Sequence, residues 1–163
     1  MIRVRAFRPG EDERALFGVF HSAVHEVAAR DYTPLQVDTW APDDLDPVAW
    51  AQRMQGIAPF VAEEDGAALG YADLQPDGYI DHFFVAGRAG RRGVGRALME
   101  RLHERAAERG LHQMHSHVSL TAQPFFVHFG FVIEAQRFEE SDGVRFSTAL
   151  MRKRLVEGVG PAA

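Results

Sequence analysis

The 163-residue chain contains no cysteine and a single lysine, Lys153. Without thiols it forms no disulfide, no Cys-ligated zinc site and no cysteine acyl-enzyme. No apolar run approaches the length that crosses a bilayer, and the N-terminus carries Arg3, Arg5 and Arg8 with no apolar leader segment. A net charge of −5 argues against a nucleic-acid partner. Residues are 46% hydrophobic and 25% charged, the ordinary mixture of a globular protein. These bounds predict a cytoplasmic protein with neither nucleic acid nor membrane as partner. They also predict one domain over residues 1–155 and a flexible C-terminal tail over 156–163.

The chain alternates strand-like and helix-like segments. Ile2, Val4 and Ala6 alternate with Arg3 and Arg5 as in a strand, which Pro9-Gly10 ends. Residues 11–30 carry helical spacing through Leu16, Val19, Phe20, Val24 and Val27. Thr33 before Pro34 is a helix start for a short helix to Trp40, and another spans Pro47 to Met54. Phe60–Glu63 and Ala68–Leu74 read as strands joined at Asp65-Gly66, and Pro76-Asp77-Gly78 turns the chain into a strand opening at Tyr79. A helix from about Gly93 to Arg109, a strand from Leu111 to Leu120, a short helix to Phe129 and two strands meeting at Ser141-Asp142-Gly143 complete the order. This order predicts a mixed α/β sheet with helices on both faces.

The most informative segment is YIDHFFVAGRAGRRGVGRALMERL, Tyr79 to Leu102. A strand runs into a loop of glycines and arginines, and a helix opens at Gly93-Val94-Gly95. A helix N-terminus presents unpaired N–H groups and partial positive charge, glycines allow close approach, and guanidiniums match phosphate. The pattern is a phosphate cradle. It is not a Walker A loop, because Arg96-Ala97 stands where Lys-Ser/Thr is needed. Nor is it the dinucleotide fingerprint, whose third glycine is Leu98 here.

The strand–RRGVGRAL–helix segment resembles the acetyl-coenzyme A motif of GNAT superfamily N-acetyltransferases, and Ser119-Leu-Thr-Ala122-Gln-Pro-Phe125-Phe126-Val-His-Phe-Gly130-Phe131 resembles that family's late segment. Over residues 2 to 154 the chain is similar to the YafP-like branch. The resemblance implies a GNAT-type mixed, mostly antiparallel central sheet flanked by helices. It implies an acetyl-CoA-dependent N-acetyltransferase whose amine attacks directly in a ternary complex. Acetyl-CoA is the implied cosubstrate and no metal is expected. The implied partner is a small-molecule or peptide amine, with a homodimer open. Cofactor binding falls on Phe84, Val85, Gly90, Arg91, Arg92, Gly93, Val94, Gly95, Arg96, Ser119, Phe125 and Phe126. The Tyr79 and Leu111 strands are expected to diverge and admit the pantetheine arm, with the Val85 N–H near the thioester oxygen.

Two positions depart from the wider family pattern. Gly90 stands where a Gln or Arg is usual, and Phe126 where a tyrosine is thought to protonate the leaving thiolate. Tyr32, Tyr79 and His128 are the remaining candidate acids. For the base, Asp81 is a carboxylate in an apolar strand and His82 has a pKa suited to neutral pH. Strand alternation predicts that they face opposite sides, so that at most one reaches the amine. Tyr32 and Trp40 are expected to wall the acceptor pocket. His112, His115 and His117 suggest a metal, but no third ligand is set by spacing. A non-catalytic acyl-CoA-binding sensor or interaction module is the alternative function.

Overall fold

The computed structural model describes residues 1–156, so nearly all of the segment assigned as a tail lies outside the described residues. Seven strands form a four-stranded sheet ordered β1-β2-β3-β4 and a three-stranded sheet ordered β5-β7-β6, every ladder antiparallel. The strands are β1 (Arg3–Ala6), β2 (Phe60–Glu64), β3 (Ala67–Ala72), β4 (Phe83–Val85), β5 (Gln113–Ser119), β6 (Val132–Ser141) and β7 (Val144–Arg154). The helices are α1 (Glu13–Ser22), α2 (Pro34–Trp40), α3 (Pro47–Ile57), α4 (Val94–Glu108) and α5 (Gln123–His128). One parallel bridge, Tyr79 to His115, joins the sheets.

The expected mixed α/β architecture is therefore present, with differences at two places. The helical stretch over 11–30 changes type: α1 passes into a π-helical turn at Ala23–Val27 and a 3-10 turn at Ala28–Arg30. The Tyr79 strand is also broken. Tyr79 and Ile80 bond to β5, through Ile80 N–H to the His115 carbonyl at 2.8 Å, whereas Phe83–Val85 pair with β3. Local signals served well where they were strong. Thr33 caps α2 in a reciprocal capping box with Gln36, with Pro34 in the first turn.

Helices cover both faces of the first sheet. Gly70 on β3 lies under α4, where a β-carbon would stand 2.9 Å from Val94 and 3.1 Å from Leu98. The next residue, Tyr71, points to the opposite face and packs on Trp50 of α3. The buried stripe of α4 is Val94, Leu98, Leu102 and Ala106, as its spacing predicts, with Met99 alongside. Leu16, Val19 and Phe20 are the buried residues of α1.

The first strand is tied in by an ion cluster. Arg5 donates to both carboxylate oxygens of Asp12, at 2.8 and 2.9 Å, and through Nε to Glu63 at 2.8 Å. Both acids are buried, and Arg5 holds their carboxyls below the usual carboxylate range. Removing the cation leaves Asp12 without its ion-pair partner and Glu63 with Arg3 alone, so Arg5→Met is expected to cost about 3–5 kcal/mol in urea denaturation. Groups with lowered folded-state pKa values stabilise above their unfolded values, and that stability is lost as pH falls through the folded ones. The variant should accordingly show a shallower decline below about pH 4. Parallel acid limbs for variant and wild type would contradict the assignment.

Candidate active site

The site begins at a defect in the ladder. Asp73 follows β3, is fully buried, and accepts from the Asp81 N–H at 3.0 Å and the His82 N–H at 2.6 Å through one oxygen. Its other oxygen accepts from Gln75. The Asp73 N–H in turn reaches the His82 carbonyl at 3.1 Å. A side chain therefore replaces a main-chain acceptor, and the strand bends between Ile80 and Phe83.

This bend fixes which backbone groups are free. His82 with Asp73 and Ala86 with Leu69 are main-chain bonded across β3 and β4. Antiparallel alternation then turns Phe84 toward Tyr71 and leaves Phe83 and Val85 with N–H and C=O groups directed to the open edge. The expected Val85 donor therefore faces the split, while the main-chain groups of Phe84 do not. Ser116 Oγ donates to the Ile80 carbonyl at 2.7 Å and holds the vertex of the split closed.

Two cavities open from the split. One, about 480 Å³, is lined by Phe84, Val85, Gly90, Arg91, Gly93, Val94, Gly95, Arg96, Ser119, Phe125 and Phe126, so it collects every predicted cofactor residue except Arg92. Arg92 turns away and pairs with Glu64. Gly93 (φ 85°) and Arg91 (φ 64°) have left-handed backbones, which wrap the loop into α4. The first turn leaves the Val94, Gly95 and Arg96 N–H groups without intrahelical partners. Gly95 also admits the Phe125 ring, 3.0 Å from where a β-carbon would stand. The loop is anchored from α1: Ser22 Oγ accepts the Gly87 N–H at 2.7 Å, and Glu26 fills the space a side chain at Gly87 would need. This donor set fits a pyrophosphate on an apolar-walled arm.

The second cavity, about 440 Å³, contains Asp81, His82, Tyr32, Trp40 and Tyr79, together with Arg53, His117, Glu139 and Thr148. Asp81 and His82 do not face opposite sides as alternation predicts. Arg53 donates to His82 Nε2 at 3.0 Å and to Asp81 at 3.2 Å, because the Asp73 bend interrupts the pleat between them. With Nε2 accepting, the His82 ring donates from Nδ1 to the Tyr71 hydroxyl, 2.9 Å away. Burial, with Arg53 adding to it against the pull of Asp81, pushes the His82 pKa down to about 4. The ring is neutral at pH 7 with both nitrogens engaged.

The candidate acids are placed differently from one another. Tyr32 donates to the Ser147 carbonyl at 2.7 Å and accepts the Leu120 N–H at 2.9 Å, so its hydroxyl locks β5 to β7. Tyr79 lies in the second cavity, its pKa pushed up to about 12 by burial and by Asp81 and Glu139. His128 lines the first cavity, and Phe126 is buried between the two. Of the late-strand histidines, His115 and His117 flank the Tyr79 ring. Among the described residues, the three possible metal ligands that converge are His21, His25 and Asp43. Asp73 and Arg53 carry no motif. The one available signal was a carboxylate at the end of the apolar run AALGYAD.

Comparison with known proteins agrees with this geometry. The family model described as an acetyltransferase (GNAT) domain matches residues 28–155. The uncharacterized N-acetyltransferase YafP of Escherichia coli (strain K12) is 31% identical over 151 residues, 93% of this chain and 95% of the relative. The peptidyl-lysine N-acetyltransferase YiaC of the same organism is 41% identical over 46 residues, 28% of this chain and 32% of the relative. A GCN5-related N-acetyltransferase structure from Rhodopseudomonas palustris superposes with a TM-score of 0.88 at 28% identity, covering 94% of this chain and 95% of that one. The yncA structure from Salmonella typhimurium, solved with acetyl-CoA, shares the fold at a TM-score of 0.67 and 22% identity, covering 100% and 99%.

The bend at Asp73 has a measurable signature. Burial pushes its carboxyl up to about 6, against the N–H groups that favour the charged form. Between its ordinary value near 3.9 and that point the folded chain holds more protons than the unfolded one, so stability falls as pH rises through this window and is level above it. Asp73→Asn keeps an acceptor for both N–H groups and removes the titration. The wild type should lose on the order of 2 kcal/mol relative to this variant between pH 4 and pH 6. Superimposable pH–stability curves would show that Asp73 does not titrate there.

Proposed function

The chain belongs to the GNAT acetyltransferase family, and from that premise we propose that it moves an acetyl group from acetyl-CoA to a primary amine by direct attack, both substrates being bound together. One observation carries this reading. The two cavities share Trp40, Phe83, Phe84, Ser119, Ala122 and Phe126, so a thioester in one and an amine in the other meet at the split.

The α4 N-terminus and the guanidiniums of Arg91 and Arg96 hold the pyrophosphate. The open-edge groups of Phe83 and Val85 bond the pantetheine arm as an added strand would. The Val85 N–H takes the thioester oxygen and stabilises the charge that gathers there as the amine attacks. Ser119, Phe125 and Phe126 close the arm's channel, and Tyr32 and Trp40 wall the acceptor.

An alkylamine has a pKa near 10.4, so about one molecule in ~2,500 is free at pH 7. Asp81 removes the proton, directly or through water, with Arg53 fixing the carboxylate. His82 is a positioning residue, because its neutral ring anchors Arg53 against Tyr71. The ammonium first loses one proton through Asp81 to solvent. The free amine then attacks, the nitrogen–carbonyl bond forms, the carbon–sulfur bond breaks, and the second amine proton passes through water to the departing thiolate, so that one proton is released overall. Phe126 has no proton to give, so coenzyme A leaves as thiolate and takes its proton from water.

Two measurements test this. Acetyl-CoA and coenzyme A at ~100 times their dissociation constants should each add about 2.7 kcal/mol of stability, read as a thermal shift, whereas ATP at the same concentration adds none. No shift at millimolar cofactor would remove the reading. Asp81→Asn should lower kcat about 10²-fold at pH 7 with an amine acceptor. The deficit should shrink toward pH 10, where the amine loses its proton unaided. A deficit constant across that range would show that Asp81 is not the base.

A further inference from the structure

The second cavity has a charge pattern that amine acetylation alone does not require. Its lining holds three carboxylates, Asp81, Glu139 and Glu140, against one guanidinium, Arg53. Arg53 is already committed to Asp81 and His82, which leaves the β6 end of the cavity acidic. Glu139 stands opposite Phe146 in the β6–β7 register, and its nearest cationic or potentially cationic partner is His117 at 3.8 Å. Arg145, opposite Glu140, lies instead over the Phe138 ring at 4.3 Å.

A second observation points to a ligand in the same space. Thr148 lines this cavity, is 6% exposed, and its Oγ1 has no hydrogen-bond partner. Buried hydroxyls are normally paired, so this one is free to accept from a bound N–H. Between Thr148 and the mouth the walls are aromatic: Trp40 lies 6.3 Å from Phe146 and 6.0 Å from Phe84, centroid to centroid. Such faces suit a methylene chain and, through their quadrupoles, an ammonium group.

We propose that the acceptor is a small aliphatic diamine or polyamine, whose second, protonated nitrogen is held by Glu139 while the first is acetylated at the split. This rests on the acetyltransferase reading above. The reaction joins the first nitrogen to the acetyl carbon, breaks the thioester carbon–sulfur bond, and yields the monoacetylated amine, coenzyme A thiol and one proton. α2, α3 and the β6–β7 hairpin line the cavity with Trp40, Arg53 and Ser141, and Glu139 stands half-exposed at its mouth, where it meets a free ligand's ammonium group.

Coenzyme A release tests this cleanly, since a chain without cysteine adds no thiol of its own. The comparison is 1,4-diaminobutane against 1-aminobutane, which differ by the second nitrogen. The diamine should be favoured in kcat/KM by about 20-fold or more at low salt, and the preference should shrink as ionic strength rises. Glu139→Gln should lower the diamine-to-monoamine ratio about fivefold, and Glu139→Lys should abolish the preference. Equal use of the two amines, or an unchanged ratio in both variants, would overturn the proposal while leaving the acetyltransferase reading standing. So would a lysine-containing peptide used better than the diamine. No turnover with any amine, despite a thermal shift with acetyl-CoA, would overturn both.

Discussion

The hydrogen bonds from the Asp81 and His82 amides to the buried Asp73 carboxylate set the geometry of everything around the split. A continuous antiparallel ladder would carry β4 back along β3 to Tyr79. Asp73 instead takes the two N–H groups for itself; beyond it the Tyr79 carbonyl still accepts from the Gln75 N–H, while the Gly78 carbonyl and the Ile80 N–H bond His115 of β5. The two sheets are thus joined at a vertex and parted beyond it. The unpaired edge of Phe83 and Val85, the shared wall of the two cavities, and the meeting of Asp81 and His82 on Arg53 all descend from that substitution of a side chain for a carbonyl.

A bend of this kind holds only if its surroundings are rigid, and the neighbouring packing supplies rigidity from three directions. Gly70 lets α4 lie directly on β3, which packs that helix closely against the strand leading into Asp73. On the opposite face Tyr71 is wholly buried and bonds His82, which fixes the histidine that in turn anchors Arg53. The π-helical turn after α1 brings Ser22 and Glu26 against Gly87, and so steadies the loop between β4 and the cradle. The phosphate binding and acid–base chemistry proposed above would thereby be referred to one scaffold, as preorganised charge stabilisation demands.

What the sequence disclosed, and what it withheld, follows from the range of the interactions concerned. The loop into α4 was legible because its determinants are consecutive: glycines, arginines and a helix start within a single segment. The capping box at Thr33 and Gln36 and the buried stripe of α4 were legible for the same reason. The pairing of Arg92 with Glu64 was not legible, because the two are 28 residues apart. The facing of Asp81 and His82 was misjudged because period-two alternation assumes an intact pleat, and Asp73 breaks it from eight and nine residues upstream. Arg53, Glu139 and Thr148 reach the site through tertiary packing alone and carry no local signature.

The absence of a tyrosine at Phe126 becomes intelligible once the two proton transfers are weighed separately. A thiol near pKa 8.5 is a tolerable leaving group as its anion, so its protonation can follow bond cleavage and be left to water. An alkylammonium near 10.4 must lose its proton before it can attack at all, and at neutral pH that costs more than three powers of ten in reactive species. A site with limited polar groups gains more from a base than from an acid. The arrangement matches that priority: Asp81 is fixed by Arg53 on the acceptor side, whereas the thiolate side is walled by the Phe83, Phe125 and Phe126 rings, packed 5.3 to 5.9 Å apart. Under the proposed mechanism those rings would exclude water from the carbonyl during attack, which would strengthen a Val85 N–H contact to the oxygen on which charge collects. On the proposed reading the phenyl ring at 126 is a wall of the transfer site, and the chemistry it lacks is the part such a reaction can do without.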